Sequence, residues 1–215
     1  TYVMSDKLMD DVSPAARSIW HDLRMEMNIG QYLDTLGSAR RERRIEVAER
    51  ICRYKSAKYT IERPLHLGAA ITIPDAAKRA QIISIYSEFG LPLGEAFQLR
   101  DDLLGVFGDP KVTGKPAGDD LREGKRTVLM AMTHDRISGP AEAEFLKEFG
   151  NHDISESAIA RLQEIISETG AAMHVEDLIE ELTSTALEAI NRDEIDSQAR
   201  KLLTEMAIIA TKRNT

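Results

Sequence analysis

The chain has 215 residues, 28 basic against 36 acidic, and its net charge of −8 argues against nucleic acid as a partner. With 42% apolar and 30% charged residues it is balanced for a globular domain with one sizeable core. Its single cysteine, Cys52, excludes an intrachain disulfide framework and fits a reducing, cytoplasmic setting, and no apolar run approaches the roughly 20 residues that span a bilayer.

The opening residues TYVMSDKLMDD show neither the basic-then-apolar order of a signal peptide nor an initiator methionine, so the natural N-terminus is expected upstream. Ser13-Pro14 reads as an N-cap with proline at the first helical position. From there Ile19, Trp20, Leu23, Met27, Tyr32 and Leu33 recur at helical spacing as far as Gly37. A second helix is expected over residues 40–54, with Ile45, Ala48, Ile51 and Cys52 on one face and arginines alternating with Glu42, Glu46 and Glu49 on a solvated one. Residues 68–72 form a short apolar stretch suited to burial. Residues 75–89 read as a helix that closes on Gly90, and a separate helix is expected over residues 93–107. Residues 108–126 hold four glycines and two prolines and read as a loop long enough to suggest function. Helical patterns follow near 127–136, 141–149, 155–169, 172–192 and 197–213, and no alternating strand pattern persists. The chain is therefore expected to be all-α, one domain over residues 1–215.

The chemistry concentrates in Phe97-Gln98-Leu99-Arg100-Asp101-Asp102 and the glycine-rich loop after it. On a helix Gln98 and Asp101 are i,i+3 neighbours, with Asp102 inside the same turn, beside an apolar stripe of Leu99, Leu103 and Val106. Carboxylates do not bind phosphate directly. They bind it through a hard cation such as Mg²⁺, which keeps several waters and takes one or two protein carboxylates plus phosphate oxygens. Lys115 and Lys125, with Asp119 and Asp120 between them, would supply positive charge to the remaining phosphate oxygens. Read alone, the acids are equally an exposed pair and the lysines solvated loop residues. Lys55 stands at the expected end of the second helix, where a cation favours the macrodipole; the functional reading places it on a substrate phosphate. Lys58 is an equally positive residue three positions on, a natural control for Lys55. Thr127 is a cap for the next helix. Gln31 and Asp34 share a face, as a satisfied core network or part of a cavity wall. The five histidines, His21, His66, His134, His152 and His174, show no metal-ligand spacing, and no nucleophile elbow, Walker loop or dinucleotide fingerprint is present.

Taken together, GEAFQLRDDLLGVFGDPKVTGKPAGDDLREGKRT at 94–127, GQYLD at 30–34 and YKSAKYT at 54–60 resemble blocks of the trans-isoprenyl diphosphate synthases, with wording similar to the geranylgeranyl-type synthases of actinobacteria. The resemblance implies antiparallel helices around a deep cavity, and a homodimer built partly through the helix that carries Gln31. It implies Mg²⁺-dependent condensation of isopentenyl diphosphate with an allylic diphosphate, to geranylgeranyl diphosphate. On it Asp101 and Asp102 match metal ligands. Lys55, Lys115 and Lys125 match the lysines that hold the allylic diphosphate. Gln98 and Ser56 match polar groups facing the carbocation, and Gln31 and Tyr59 match cavity positions. Two departures stand out. The last acid of the family's second aspartate-rich motif, DDxxD, is Gly105 here, which implies one carboxylate fewer. Nothing before Ser13 resembles the first such motif, since Asp10-Asp11 lacks a third acid, so the chain resembles the C-terminal part of a longer enzyme. A non-catalytic regulatory subunit and a terpene cyclase of related fold are the alternative readings.

Overall fold

The computed structural model describes residues 2–109 and 118–212, with the side chains of Tyr2 and Val3 left aside. Among the described residues there is helix and no strand, as expected. After a short α1, Tyr2–Leu8, the Ser13 side chain accepts from the Ala16 N–H and Pro14 opens α2, Pro14–Arg40. The cap therefore forms from the local residues that announced it. The buried positions of α2 are Ala16, Leu23, Gly30 and Gly37, each seven after the last, so the helix packs along one narrow seam.

The next element departs from the expected helix over residues 40–54. Helix α3, Ile45–Ile51, runs without a break into a π-helical segment, Cys52–Glu62, and on into α4, Arg63–Thr72. Lys55 is thus inside a continuous rod, not at a helix end, and the macrodipole reading of it fails. Pro64, which has no N–H to give to the preceding turn, falls where the wide turns hand over to the α pattern. Within 68–72, Ala69 and Ala70 are buried but Ile71 is 58% exposed, so that stretch is a helix end with one covered face.

A second correction concerns Gly90. Capped by Asp75, whose side chain accepts from the Lys78 N–H, α5 runs from Ala76 to Phe107 straight through Gly90 and Pro92. Local propensity says stop, but Phe89, Gly90, Leu93, Gly94 and Ala96 are all buried there, and packing overrides it. Short α6, Asp119–Glu123, leads to α7, Val128–Arg136, capped by the Thr127 hydroxyl, which accepts from the Met130 N–H. Then come α8, Gly139–Glu148; α9, Glu156–Glu168; α10, Ala171–Ile190; and α11, Ser197–Lys212.

Helix α5 is the centre, packed by α4, the π segment, α6, α7, α10 and α11. Its partners along the rod fall in number as the rod rises: Gly94 meets Ala57, Gly90 meets Glu62, and Ser87 bonds Glu62. Similarly Asp34 pairs with Lys55 and Glu26 with Arg63. Both α2 and α5 therefore run antiparallel to the rod. At one end Leu99, Leu103 and Val106 join Leu121, Phe145 and Ile166 in the main core, and at the other Phe89 and Leu93 meet Ala186, Ile190 and Ala207. Arg100 turns away from the neighbouring acids, with both ends of its guanidinium on the Glu176 carboxylate at 2.6 and 2.5 Å, and so ties α5 to α10. Among the described residues no helix is long and apolar enough to cross a membrane.

Candidate active site

The antiparallel arrangement brings one end of the rod, the C-terminal half of α5, the C-terminal half of α2 and the α6–α7 turn to a common cleft of about 440 Å³. Lys55, Ser56 and Cys52 line it from the rod, and Gln98, Asp101 and Asp102 from α5. Asp34 and Ser38 line it from α2, Asp120 from α6, and Lys125 and Arg126 from the α6–α7 turn. Six of the nine residues matched to site roles, Lys55, Ser56, Gln98, Asp101, Asp102 and Lys125, are therefore neighbours in space. Gln31 and Tyr59 do not line the cleft: Gln31 is exposed and bonds Thr35 on its own helix at 3.4 Å, and Tyr59 is 47% exposed. Lys115 lies outside the described residues.

The two adjacent acids have unlike settings. Asp101 is exposed at the cleft wall, whereas Asp102 is buried, with the Gln98 amide donating to its Oδ1 at 2.8 Å. Burial pushes the Asp102 carboxyl up to about 8; the Gln98 bond opposes that shift, and the Asp120 and Asp101 carboxylates reinforce it. Asp120 is buried as well, and its carboxylate contacts the Lys125 ammonium. Burial raises Asp120 against the pull of Lys125, while Lys125 is raised by Asp120 and Glu123 against its own desolvation. The two shifts pull the pair opposite ways, and the direct contact favours the ionised pair. Across the cleft the Lys55 ammonium donates to Asp34 Oδ2 at 2.6 Å. Burial and then the Asp102 charge hold the Cys52 thiol well above the usual range, which disfavours its nucleophilic thiolate form.

Gly105 changes meaning in three dimensions. A Cβ built there would overlap the Asp120 carboxylate, so the space where a side chain at 105 would start is filled from α6. Asp120 thus joins Asp101 and Asp102 in the cleft, although α5 supplies only two acids there; Asp34 and Glu123 line it as well. Among the described residues no three His, Cys, Asp or Glu side chains stand close enough to cage a metal by themselves. That suits Mg²⁺, which takes few protein carboxylates and completes its shell with water and phosphate oxygens. A carboxylate raised by burial, with two further carboxylates beside it, is also a donor set short of positive charge, which a hard cation would satisfy.

The sequence did not separate Lys58 from Lys55. Lys58 is only 14% exposed and pairs with Glu26 at 2.9 Å and Glu62 at 3.2 Å, away from the cleft lining, so it is no neutral control. Asp34 and Arg126 belong to the cleft and were not singled out as ligands. For Asp34 the signal was the face it shares with Gln31, read as a core network or a cavity wall; for Arg126 it was the position inside GKRT. Arg126 reaches the Glu42 carbonyl at 2.9 Å, and burial, followed by the nearby Arg43 and Arg41, lowers its pKa.

Known proteins share this architecture. A crystal structure of geranylgeranyl pyrophosphate synthase from Corynebacterium glutamicum, complexed with isoprenyl diphosphate and magnesium, matches with a TM-score of 0.89 at 40% identity, covering 99% of this chain and 60% of that one. Geranylfarnesyl diphosphate synthase of Aeropyrum pernix is 34% identical over 144 residues, which are 66% of this chain and 43% of that protein. (2E,6E)-farnesyl diphosphate synthase of Mycobacterium bovis is 31% identical over 158 residues, 72% of this chain and 42% of that protein. The chain spans less than half the length of these two curated relatives. The polyprenyl synthetase family model matches residues 1–169, and together with the cleft that unites the acids of α5 with Lys55 and Lys125 this makes the chain a member of the polyprenyl synthetase family.

Proposed function

We propose that this chain forms the diphosphate-binding part of a Mg²⁺-dependent trans-prenyltransferase that condenses isopentenyl diphosphate with an allylic diphosphate, with geranylgeranyl diphosphate as product. The observation that carries the reading is one cleft lined by Asp101, Asp102, Lys55 and Lys125 together. The magnesium and isoprenyl diphosphate named with the Corynebacterium glutamicum structure support it.

In this reading Asp101 and Asp102 would hold Mg²⁺, which would supply positive charge to the departing diphosphate. Lys55 and Lys125 bind the oxygens that gain charge as the allylic C–O bond breaks, an interaction stronger in the transition state than in the substrate. Asp34 and Asp120 hold those two ammonium groups in place beforehand. The Gln98 amide N–H₂ is committed to Asp102, which leaves its amide oxygen as an acceptor for the developing allylic cation, with the Ser56 hydroxyl beside the same wall. Ala48, Ile51 and Val128 give the cleft an apolar side, against which a carbocation is kept from water.

One all-α domain, a homodimer and a cytoplasmic location belong to the same proposal. Met25, Ile29 and Tyr32 leave an exposed apolar strip on α2, a face suited to cover by further protein. The test is incorporation of labelled isopentenyl diphosphate by the enzyme containing this chain, with and without chelator. Incorporation that needs Mg²⁺ supports the reading, and full activity in excess chelator rejects it.

A further inference from the structure

Away from the cleft, six polar side chains close a ring through the interior. Glu26 comes from α2, Lys58 and Glu62 from the π segment, Arg63 and His66 from α4, and Ser87 from α5. Glu62 is 4% exposed at its side chain and His66 is 2% exposed. Every hydrogen in the ring has one consistent place. Arg63 can only donate, so its Nη1, 3.1 Å away, makes His66 Nδ1 an acceptor. His66 then carries its proton on Nε2 and gives it to Ser87 Oγ at 3.0 Å, and Ser87 gives its own to Glu62 Oε1 at 2.9 Å. Lys58 joins Glu62 Oε2 at 3.2 Å to Glu26 at 2.9 Å, and Arg63 closes the ring on both Glu26 oxygens at 2.7 Å. Two carboxylates and two cations balance, with His66 neutral.

The ring grips the end of a segment whose other end lines the cleft. The π segment starts at Cys52, places Lys55 and Ser56 on the cleft wall, and ends at Glu62. Its wide turns are clasped by glycines of both neighbouring helices. A Cβ at Gly94 would stand 2.5 Å from Ala57 Cα, one at Gly90 2.9 Å from Glu62 Cα, and one at Gly30 2.7 Å from Lys55 Cα. Between Lys55 and Glu62 an α register and this wider one differ in rotation by roughly a third of a turn. In an α register, then, Glu62 could face Ser87 or Lys55 could face the cleft, but not both.

We infer that the Glu26–Lys58–Glu62–Arg63–His66–Ser87 ring is a register lock, which holds the π turns and thereby aims Lys55 and Ser56 into the cleft. Ser87, His66 and Glu26 are positioning residues for a site they do not touch. The catalytic arm of the argument rests on the role proposed for Lys55, and the register itself is read independently. The single cysteine supplies that reading, because Cys52 opens the π segment and is buried.

The experiment compares Ser87→Ala, Ser87→Thr and wild type, well below the melting temperature, by the rate of Cys52 alkylation. Ser87→Ala is expected to speed it at least about tenfold, and Ser87→Thr, which keeps the hydroxyl, to stay near wild type. Equal rates in Ser87→Ala and wild type overturn the lock. The same variants are then assayed for prenyl transfer with and without Lys55→Gln. A lock acting through Lys55 makes Ser87→Ala costly in kcat alone and nearly silent in the Lys55→Gln background. Equal losses in both backgrounds overturn the route through Lys55. If Lys55→Gln leaves kcat intact while Cys52 labelling still responds to Ser87, the lock stands and the role proposed for Lys55 falls. Should Ser87→Ala fail to fold, Glu26→Gln at the partly exposed side of the ring is read in the same two assays.

Discussion

The close approach at Gly94 gives a test that needs only the folded chain. In an open helix interior, alanine is favoured over glycine by roughly 1 kcal/mol. At Gly94 the added methyl would lie 2.5 Å from Ala57 Cα and 2.8 Å from both its Cβ and its carbonyl oxygen, where unstrained carbons sit at about 3.5–4.0 Å. Both contact surfaces are backbone, so neither can swing aside, and about 1 Å of helix displacement is required. Overpacking of this kind costs about 1–3 kcal/mol, and backbone against backbone places Gly94 near the top of that range. Set against the propensity gain, Gly94→Ala is expected to destabilise by about 2 kcal/mol, a fall in Tm of about 4–8 °C for a chain of this size. Gly68 in α4 is the control, because a Cβ there meets nothing within 4 Å. Gly68→Ala is expected to gain about 0.5–1 kcal/mol and raise Tm by about 1–4 °C. Thermal unfolding followed by circular dichroism measures both. A Gly94→Ala protein as stable as wild type would show that α5 does not press on the π segment as described.

Lys55→Gln removes a half-exposed pair with Asp34, so stability should change by no more than about 1 kcal/mol, while prenyl transfer should fall at least about a hundredfold, the ~2.7 kcal/mol of one lost electrostatic stabiliser. Lys58→Gln should do the reverse in emphasis, destabilising by about 3 kcal/mol because it removes the ammonium that two interior carboxylates, Glu26 and Glu62, share; denaturant titration and initial rates separate the two variants. Asp101→Ala, at an exposed position, should leave helix content and melting unchanged yet lower turnover by orders of magnitude and weaken Mn²⁺ binding read by spin resonance; normal ion binding would misplace the metal site. His134 packs edge-on to Phe145 and Phe149, and burial, then Arg43 and Arg126, hold its pKa down at about 4. A histidine depressed on folding contributes stability that is complete above about 6.5 and is lost as pH falls toward and through 4. The difference in stability between wild type and His134→Leu should therefore narrow on acidification through that window, and a constant difference would contradict it.

Much of the local structure was legible because its causes are local. Ser13, Asp75 and Thr127 cap helices with their own side chains, a geometry complete within four residues, and the helical stripes on α2 and α5 follow from spacing alone. The acids, Gln98 and Lys125 were legible as a set because they are close in sequence, and α5 and the α6–α7 turn bring them to one cleft. The π register was not. Periodicity assumes a fixed rotation per residue, and Cys52–Glu62 departs from it because glycines remote in sequence, Gly30, Gly90 and Gly94, let two helices close on a wider backbone. The helix over residues 40–54 was therefore given an end that does not exist. Gly90 and Pro92 told the same story in reverse, where burial on both sides carried α5 through residues that would stop an isolated helix. In sequence Lys55 and Lys58 are two lysines three positions apart, and only the rotation of the rod sends one to the cleft and the other to a buried ring. The acid that appeared lost at Gly105 is faced instead by Asp120, fifteen positions on. Residue order determined which chemical groups and which caps this protein has; the packing of α2, the rod and α5 decided which of those groups meet, because a contact between distant residues is set by the backbone between them and not by either residue alone.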